Sequence, residues 1–310
     1  MKKVIILLSA YNGEKYIREQ IKSIINQTYS EIKIYVRDDG SKDQTPQILK
    51  EFADEGMIKL YLGENIGFVK SFLWLVKNCE NADYYAFADQ DDVWKPDKIT
   101  RAVQMLQREN NERLVPTVYC SSFDICDEAL NITGKIKDLF IPFTIVKTIT
   151  SGETGFGVTQ VFNDALRKEV LSKTTPNLSR VFGHDTYVHL IGVCLGKVVY
   201  DRESTLFYRR HSSNTSTQDY RGGNIISHQI WRIWEFLFHA NGKKIYLDVR
   251  EFYDLFKNEL DETSCKIFEL YLEPSYKIKN VWKKITYRGR YRKNIVDEIA
   301  LRMLFLFNRM

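Results

Sequence analysis

The carboxylates of this sequence gather in a few short runs whose neighbours are also polar. Asp89-Gln90-Asp91-Asp92 places three within four residues, and Asp38-Asp39-Gly40-Ser41 adds two more and a hydroxyl. Ser9-Ala10-Tyr11-Asn12-Gly13-Glu14 contributes a hydroxyl, a phenol and an amide. Grouped carboxylate oxygens suit Mg2+ or Mn2+, hard cations usually held by one or two carboxylates together with phosphate oxygens of a substrate. Each run also has an ordinary reading. Residues 89–92 precede Val93-Trp94-Lys95-Pro96-Asp97 and a helix, so an acidic turn or cap suffices, and residues 38–41 and 11–14 read equally as turns. Further along, Asp185 follows Gly183-His184 and opens a helical pattern with Val188, Ile191 and Leu195. It is either a helix cap or a carboxylate held on a rigid element where it can take a proton. His211, beside Arg210, Ser212, Ser213 and Asn214, reads by itself as a surface-loop histidine.

Hydrophobic periodicity supplies the elements that hold these runs. Val4 to Leu8 is a continuous apolar stretch of the kind shown by a strand buried on both faces, and Ile17, Ile21, Ile24 and Ile25 follow at helical spacing. Ile32, Ile34 and Val36 alternate as a strand into residues 38–41, and Ile48, Leu49 and Phe52 mark a second helix. Residues 57–62, a helix over 67–78 and the strand 84–88 repeat the theme; strands at 117–121 and 197–201 and a helix over 184–195 continue it. Alternating strands and helices predict a doubly wound, mostly parallel sheet, in which ligands bind beyond the carboxyl ends of the strands. Residues 9–13, 38–41 and 89–92 all follow predicted strands. Beyond residue 222, Ile226, Ile230, Ile233, Trp234 and Leu237 form a helical stripe, which sets an expected boundary near residue 220 between a catalytic domain (1–220) and a helical C-terminal region (221–310).

At 310 residues, with 44% hydrophobic and 27% charged residues, the chain can bury a substantial core and is not disordered. A net charge of +5 is too mild to make nucleic acid the expected partner. Residues 277–310 hold ten basic residues against two acidic ones, net +8, which leaves −3 for the remainder. Five scattered cysteines without a C-x-x-C pair read as reduced thiols of a cytoplasmic protein, and no apolar stretch reaches the length of a spanning helix. The apolar run at the N-terminus lacks a small-residue cleavage site and reads as a strand rather than a signal peptide. No G-x-G-x-x-G follows the first strand and no G-x-x-x-x-G-K-[ST] occurs, so the usual dinucleotide and P-loop phosphate cradles are missing.

Taken in order, residues 9–14, residues 38–41, Asn65-Ile66-Gly67 and Asp89-Gln90-Asp91-Asp92-Val93-Trp94 resemble the family 2 glycosyltransferases of GT-A fold. The D-Q-D-D-x-W variant, His184-Asp185, Tyr208-Arg209-Arg210-His211 and the basic run 290–294 are most similar to bacterial rhamnosyltransferases of cell-wall, capsule and O-antigen polysaccharide synthesis. That resemblance implies a GT-A domain with a C-terminal helical appendage and an inverting, metal-dependent transfer, with L-rhamnose from dTDP-L-rhamnose as the donor and a saccharide, lipid-linked, as the acceptor. It implies that Tyr11 and Asp38 hold the pyrimidine base, Asp89 the ribose, and Asp91 the Mg2+ or Mn2+ on the diphosphate. His211 would be a metal ligand or phosphate contact and Asp185 the general base. Ser9, Asn65 and Lys70 would border the nucleotide sugar, and Thr159 and His184 the acceptor. The chain departs from the rhamnosyl pattern at Thr186-Tyr187 and at Gly157-Val158-Thr159-Gln160, both of which would border the sugars.

The nearest alternatives are a family 2 transferase using a UDP-hexose, a nucleotidyltransferase, which also needs paired carboxylates and a metal, and a non-catalytic nucleotide-sugar-binding subunit. The basic C-terminus, with Trp282, Tyr287, Tyr291 and residues 305–307, suits peripheral attachment to an anionic membrane at the inner face of the cell membrane. The alternative is a helical appendage that covers the sheet or forms a homodimer.

Overall fold

Five consecutive aliphatic residues leave the first strand no polar face to show to water, and β1 (Val4–Ala10) is accordingly buried on both sides, with Val4 to Leu8 fully buried. The computed structural model describes residues 1–109, 115–136, 142–151, 156–173, 183–211, 241–273, 278–291 and 295–306. β1 is followed by α1 (Ile17–Ile25), β2 (Ile32–Asp38), α2 (Thr45–Asp54), β3 (Lys59–Leu62), α3 (Phe68–Asn78), β4 (Tyr84–Ala88), β5 (Val93–Trp94) and α4 (Lys98–Glu109). Then come β6 (Thr117–Cys126), β7 (Ile132–Lys135), α5 (Ile145–Ser151), β8 (Val161–Asn163), α6 (Asp164–Ser172), α7 (Gly183–Leu195) and β9 (Lys197–Arg209). The described chain closes with α8 (Asn241–Phe256), α9 (Glu262–Leu272), α10 (Ile278–Ile285) and α11 (Ile295–Leu306).

The strands form one sheet in the order β3-β2-β1-β4-β8-β6-β9-β5, with β7 beside β6. Its first four strands are parallel, as the alternating pattern predicts. The rest is mixed, because β8 runs antiparallel to both β4 and β6, and β5 antiparallel to β9. The short β5 and β8 carry no period of their own; they form by pairing with longer neighbours. On one face, Val4, Ile6, Leu8 and Ala10 pack with Ile17, Ile21 and Ile24 of α1, Leu49 and Phe52 of α2, and Ile99, Ala102, Val103 and Leu106 of α4. On the other, α3 lies against β1 and β2, and its Phe72 meets Phe87 of β4 edge to face.

β1 is the topological switch point: the chain leaves it toward β2 and β3, then returns on its other side as β4. The registers Ala10↔Asp38 and Leu8↔Ala88 bring the three expected loops to one edge.

The chain divides into two compact units, Met1–Leu139 with Gly155–Thr175 and His184–Asn214, and Phe140–Thr154 with Pro176–Gly183 and Thr215–Met310. The expected boundary at residue 220 and the stripe 226–237 lie outside the described residues. In the second unit Phe252 stacks on Phe256 and on Phe268 of α9, while Val146, Tyr291 and Leu301 form a small cluster. Two members of the basic, aromatic C-terminal set are structural rather than surface groups. Lys284 is 2% exposed and donates to the Glu273 carbonyl at 2.7 Å, its ammonium held down at about 8 by burial. Tyr291 is buried and donates to the Lys284 carbonyl. Arg302 donates to the carbonyls of Ile285, Tyr287 and Gly289 and closes the end of α10. Trp282, Lys279, Lys283, Arg288 and Arg290 are exposed, as are Ile295, Ile299 and Met303 along α11.

Candidate active site

The loop after β1 and the loop after β4 are joined by one side chain. Gln90 accepts from the Tyr11 N–H at 2.7 Å and donates to the Tyr11 carbonyl at 3.0 Å. This approach requires Gly13, where a Cβ would lie 2.4 Å from Gln90 Oε1. The loop after β2 is built on both its aspartates. Asp38 accepts from the backbone of Gly40 and Ser41 and from the Ser41 hydroxyl. Asp39 accepts from the N–H groups of Ile66 and Gly67 and pairs with buried Arg37, which also donates to the Glu64 carbonyl. Asp39 and Arg37 therefore hold the segment that contains Asn65, a role that sequence reading missed because two adjacent aspartates look alike.

Asp89, Asp91 and Asp92 offer ligand atoms that all lie within 4.8 Å of one another. Burial and the carboxylates of Asp91 and Asp185 hold the Asp89 carboxyl well above the usual range, and burial with Asp91 and Asp89 does the same for Asp92. Asp92 is 1% exposed; its Oδ1 accepts from the Arg209 N–H at 3.2 Å, and its Oδ2 has no hydrogen-bond partner among the described residues. His211 Nε2 stands 2.9 Å from Asp91 Oδ2, so a histidine 120 residues away joins the cluster. The antiparallel pairing of β5 with β9, Val93↔Phe207 and Trp94↔Leu206, carries it there.

Asp185, in the first turn of α7, is half-buried and accepts from the Thr186 N–H at 2.9 Å and the Gly157 N–H at 3.2 Å. A side chain at 157 would put its Cβ 2.9 Å from that of Asp185, so glycine permits the approach. Burial raises the Asp185 carboxyl above the usual range although three backbone hydrogen bonds oppose it. Both oxygens serve as backbone anchors, so the cap reading is partly right, and the same anchors fix the group's direction.

The remaining expected residues divide sharply. Tyr11, 45% exposed, and the exposed Asn65 and Lys70 are open to a ligand, and Ser9 donates to Ser71 beneath the loop. His184 and Thr159 do not present an acceptor surface as expected. The His184 ring stacks on Phe72 at 4.0 Å and meets Phe87 edge to face, and burial lowers it to about 3; Thr159 is fully buried and its hydroxyl donates to Phe156. His184 is buried because a neutral imidazole packs with aromatic rings as well as a phenyl does, and Thr159 because its hydroxyl is satisfied by the backbone of its own turn.

The donor set fits a hard divalent cation: carboxylate oxygens and an imidazole, mutual repulsion that a cation would relieve, and a buried orphan oxygen on Asp92. Such an ion would be held by Asp91 and His211, with Asp89 and Asp92 adjoining.

Residues 5–159 match the family model described as "Glycosyl transferase family 2". The chain is 41% identical over 109 residues to the dTDP-rhamnosyl transferase RfbG of Shigella flexneri, 33% of this chain and 38% of that protein. It is 34% identical over 125 residues to an uncharacterized glycosyltransferase of Rickettsia typhi, 40% of this chain and 37% of that one. These matches thus span less than two fifths of either relative. Among solved structures, Staphylococcus aureus TarS 1–349 in complex with UDP-GlcNAc aligns with a TM-score of 0.56 and 16% identity, over 99% of this chain and 92% of that one. The mannosyltransferase PcManGT of Pyrobaculum calidifontis, in complex with GDP-Man and Mn2+, aligns with a TM-score of 0.51 and 13% identity, over 99% and 86%. At these identities the likeness is one of fold.

Proposed function

The chain belongs to glycosyl transferase family 2 and has the GT-A fold, and from that premise we propose that it is a metal-dependent, inverting rhamnosyltransferase moving L-rhamnose from dTDP-L-rhamnose onto a saccharide acceptor. The observation that carries the chemistry is the meeting, at the β1 switch point, of an acidic cluster, His211 and a separately anchored Asp185. Tyr11 and Asp38 take the base, Asn65 and Lys70 border the nucleotide sugar, and Asp89 takes the ribose. Asp185 removes the proton of the acceptor hydroxyl as its oxygen bonds to the anomeric carbon; the bond from that carbon to the diphosphate oxygen breaks on the opposite side, and nucleoside diphosphate leaves. Asp91 and His211 would hold a divalent cation, which would supply positive charge to the leaving diphosphate. Rhamnose as the sugar is supported by the 41% identity to RfbG over 109 residues, 33% of this chain.

A panel of nucleotide sugars tests the donor. With Mn2+ present, dTDP-rhamnose is expected to raise the melting temperature more than UDP-glucose or UDP-GlcNAc, since a ligand at 100 times its Kd stabilises by about 2.7 kcal/mol. Turnover with acceptor should release dTDP and no pyrophosphate. A larger shift with a UDP-hexose would replace the donor, and pyrophosphate release would replace the reaction.

The acceptor is taken to be lipid-linked, so the second unit meets the anionic face of a membrane, supported by exposed Trp282 and cations Lys279, Arg288 and Arg290. No described helix is long and apolar enough to cross a membrane. The protein is expected to sediment with anionic vesicles at low salt, less so as salt rises, and reversal of Lys279, Arg288 and Arg290 to Glu should abolish this. Failure of the wild-type protein to sediment at low salt would discard the membrane reading in favour of a structural or dimerising appendage.

A further inference from the structure

We propose that Arg209 is the positioning residue of the cation half of the site, an inference that rests on reading Asp91 and His211 as ligands. It ends β9, two residues before His211, and is 3% exposed. Each nitrogen of its guanidinium fork donates a hydrogen bond. Nε donates to the Asp91 carbonyl at 2.9 Å, one terminal nitrogen to the Glu128 carbonyl at 2.6 Å, and the other to the Glu19 carboxylate at 2.5 Å. Its backbone N–H donates to Asp92. The guanidinium lies over the Tyr16 ring, 4.6 Å from the centroid, and that ring stands 4.8 Å from His211.

One side chain thus gathers the start of α1, the loop after β4 and the turn between β6 and β7, and places the strand end that bears His211 against them. Apart from the fork, the segments of Asp91 and His211 are brought together by the two-residue strand β5 and by the Arg209 N–H on Asp92. The three acceptors lie in three directions, which suits a planar fork and not the single ammonium of lysine. Arg209 touches no expected position of the reacting sugar, so it acts through Asp91 and His211.

The test uses full-length protein and two direct binding measurements: free Mn2+ by electron paramagnetic resonance, and dTDP in EDTA by calorimetry. In Arg209→Lys, Mn2+ affinity is expected to fall roughly 10–100-fold, the usual effect of removing the support behind a ligand. Affinity for dTDP in EDTA should stay within about twofold of wild type, because none of the fork's three acceptors belongs to Tyr11 or Asp38. Glu19→Gln weakens only the anchor at a half-exposed carboxylate and keeps the fold safe; Mn2+ affinity should fall by a few-fold, in the same direction. Wild-type Mn2+ affinity in both variants would overturn the role of Arg209 while leaving the cation site standing. A parallel fall of Mn2+ affinity, dTDP affinity and melting temperature would overturn it too, as the mark of general unfolding. A wild-type protein that binds no Mn2+ would remove the cation reading, and this inference with it.

Discussion

Asp185→Asn is expected to lower kcat by roughly 10²–10⁴-fold, the usual contribution of a positioned base, with donor affinity near wild type. Asparagine preserves the shape but has a single acceptor oxygen, so it keeps only one of the two backbone anchors, from Thr186 or from Gly157, and donor affinity measured beside kcat separates lost proton transfer from lost architecture. The pH profile follows from the environment. Burial raises this carboxyl, the base works only when ionised, and so activity in the wild-type enzyme should fall with decreasing pH at values above the ordinary carboxylate range. The same shift carries a stability consequence of known sign. A carboxyl that holds its proton more tightly folded than unfolded loses stability as pH rises through the window between the two values, so the wild-type melting temperature should fall across that window and the fall should shrink in Asp185→Asn. Normal turnover in the variant would return Asp185 to the status of a helix-turn anchor.

Asp91→Ala is expected to reduce transfer to near background, and EDTA should do the same to the wild-type enzyme, with activity restored by added Mn2+ or Mg2+. The reasoning is local. Asp91 is the carboxylate of the cluster in contact with His211, so its loss removes a ligand charge and also the partner that orients the imidazole. His211→Ala should lower metal affinity less, because three carboxylates remain within 4.8 Å of one another. Undiminished transfer by Asp91→Ala, or by wild type in EDTA, would leave the acidic cluster a structural feature. The two experiments separate the halves of the reaction: Asp185 governs kcat with donor binding intact, Asp91 governs binding of the leaving group.

The sequence by itself determined the parallel half of the sheet and the loops at its edge. An unbroken apolar run such as Val4 to Leu8 has only one stable environment, a strand covered on both faces, and the loops that follow such strands emerge at one end of a parallel sheet. The strand pattern alone therefore brings the carboxylates of residues 38–39 and 89–92 to one edge of the sheet. Tertiary structure decided the rest, because what it adds lies in pairings between short segments that have no period to read. Two residues of β5 paired with β9 bring His211 onto Asp91, and Gly157, far from Asp185 in sequence, approaches close enough to fix it. It also separated look-alikes. His184 and Asp185 are neighbours in a polar-looking motif, yet α7 turns one into an aromatic stack and leaves the other half-buried with its oxygens anchored, since successive residues of a helix point about 100° apart. Lys284 and Lys283 part in the same way, one sealed against the Glu273 carbonyl and one exposed and paired with the Glu273 carboxylate, because charge in a sequence is a count and its direction is set only by packing.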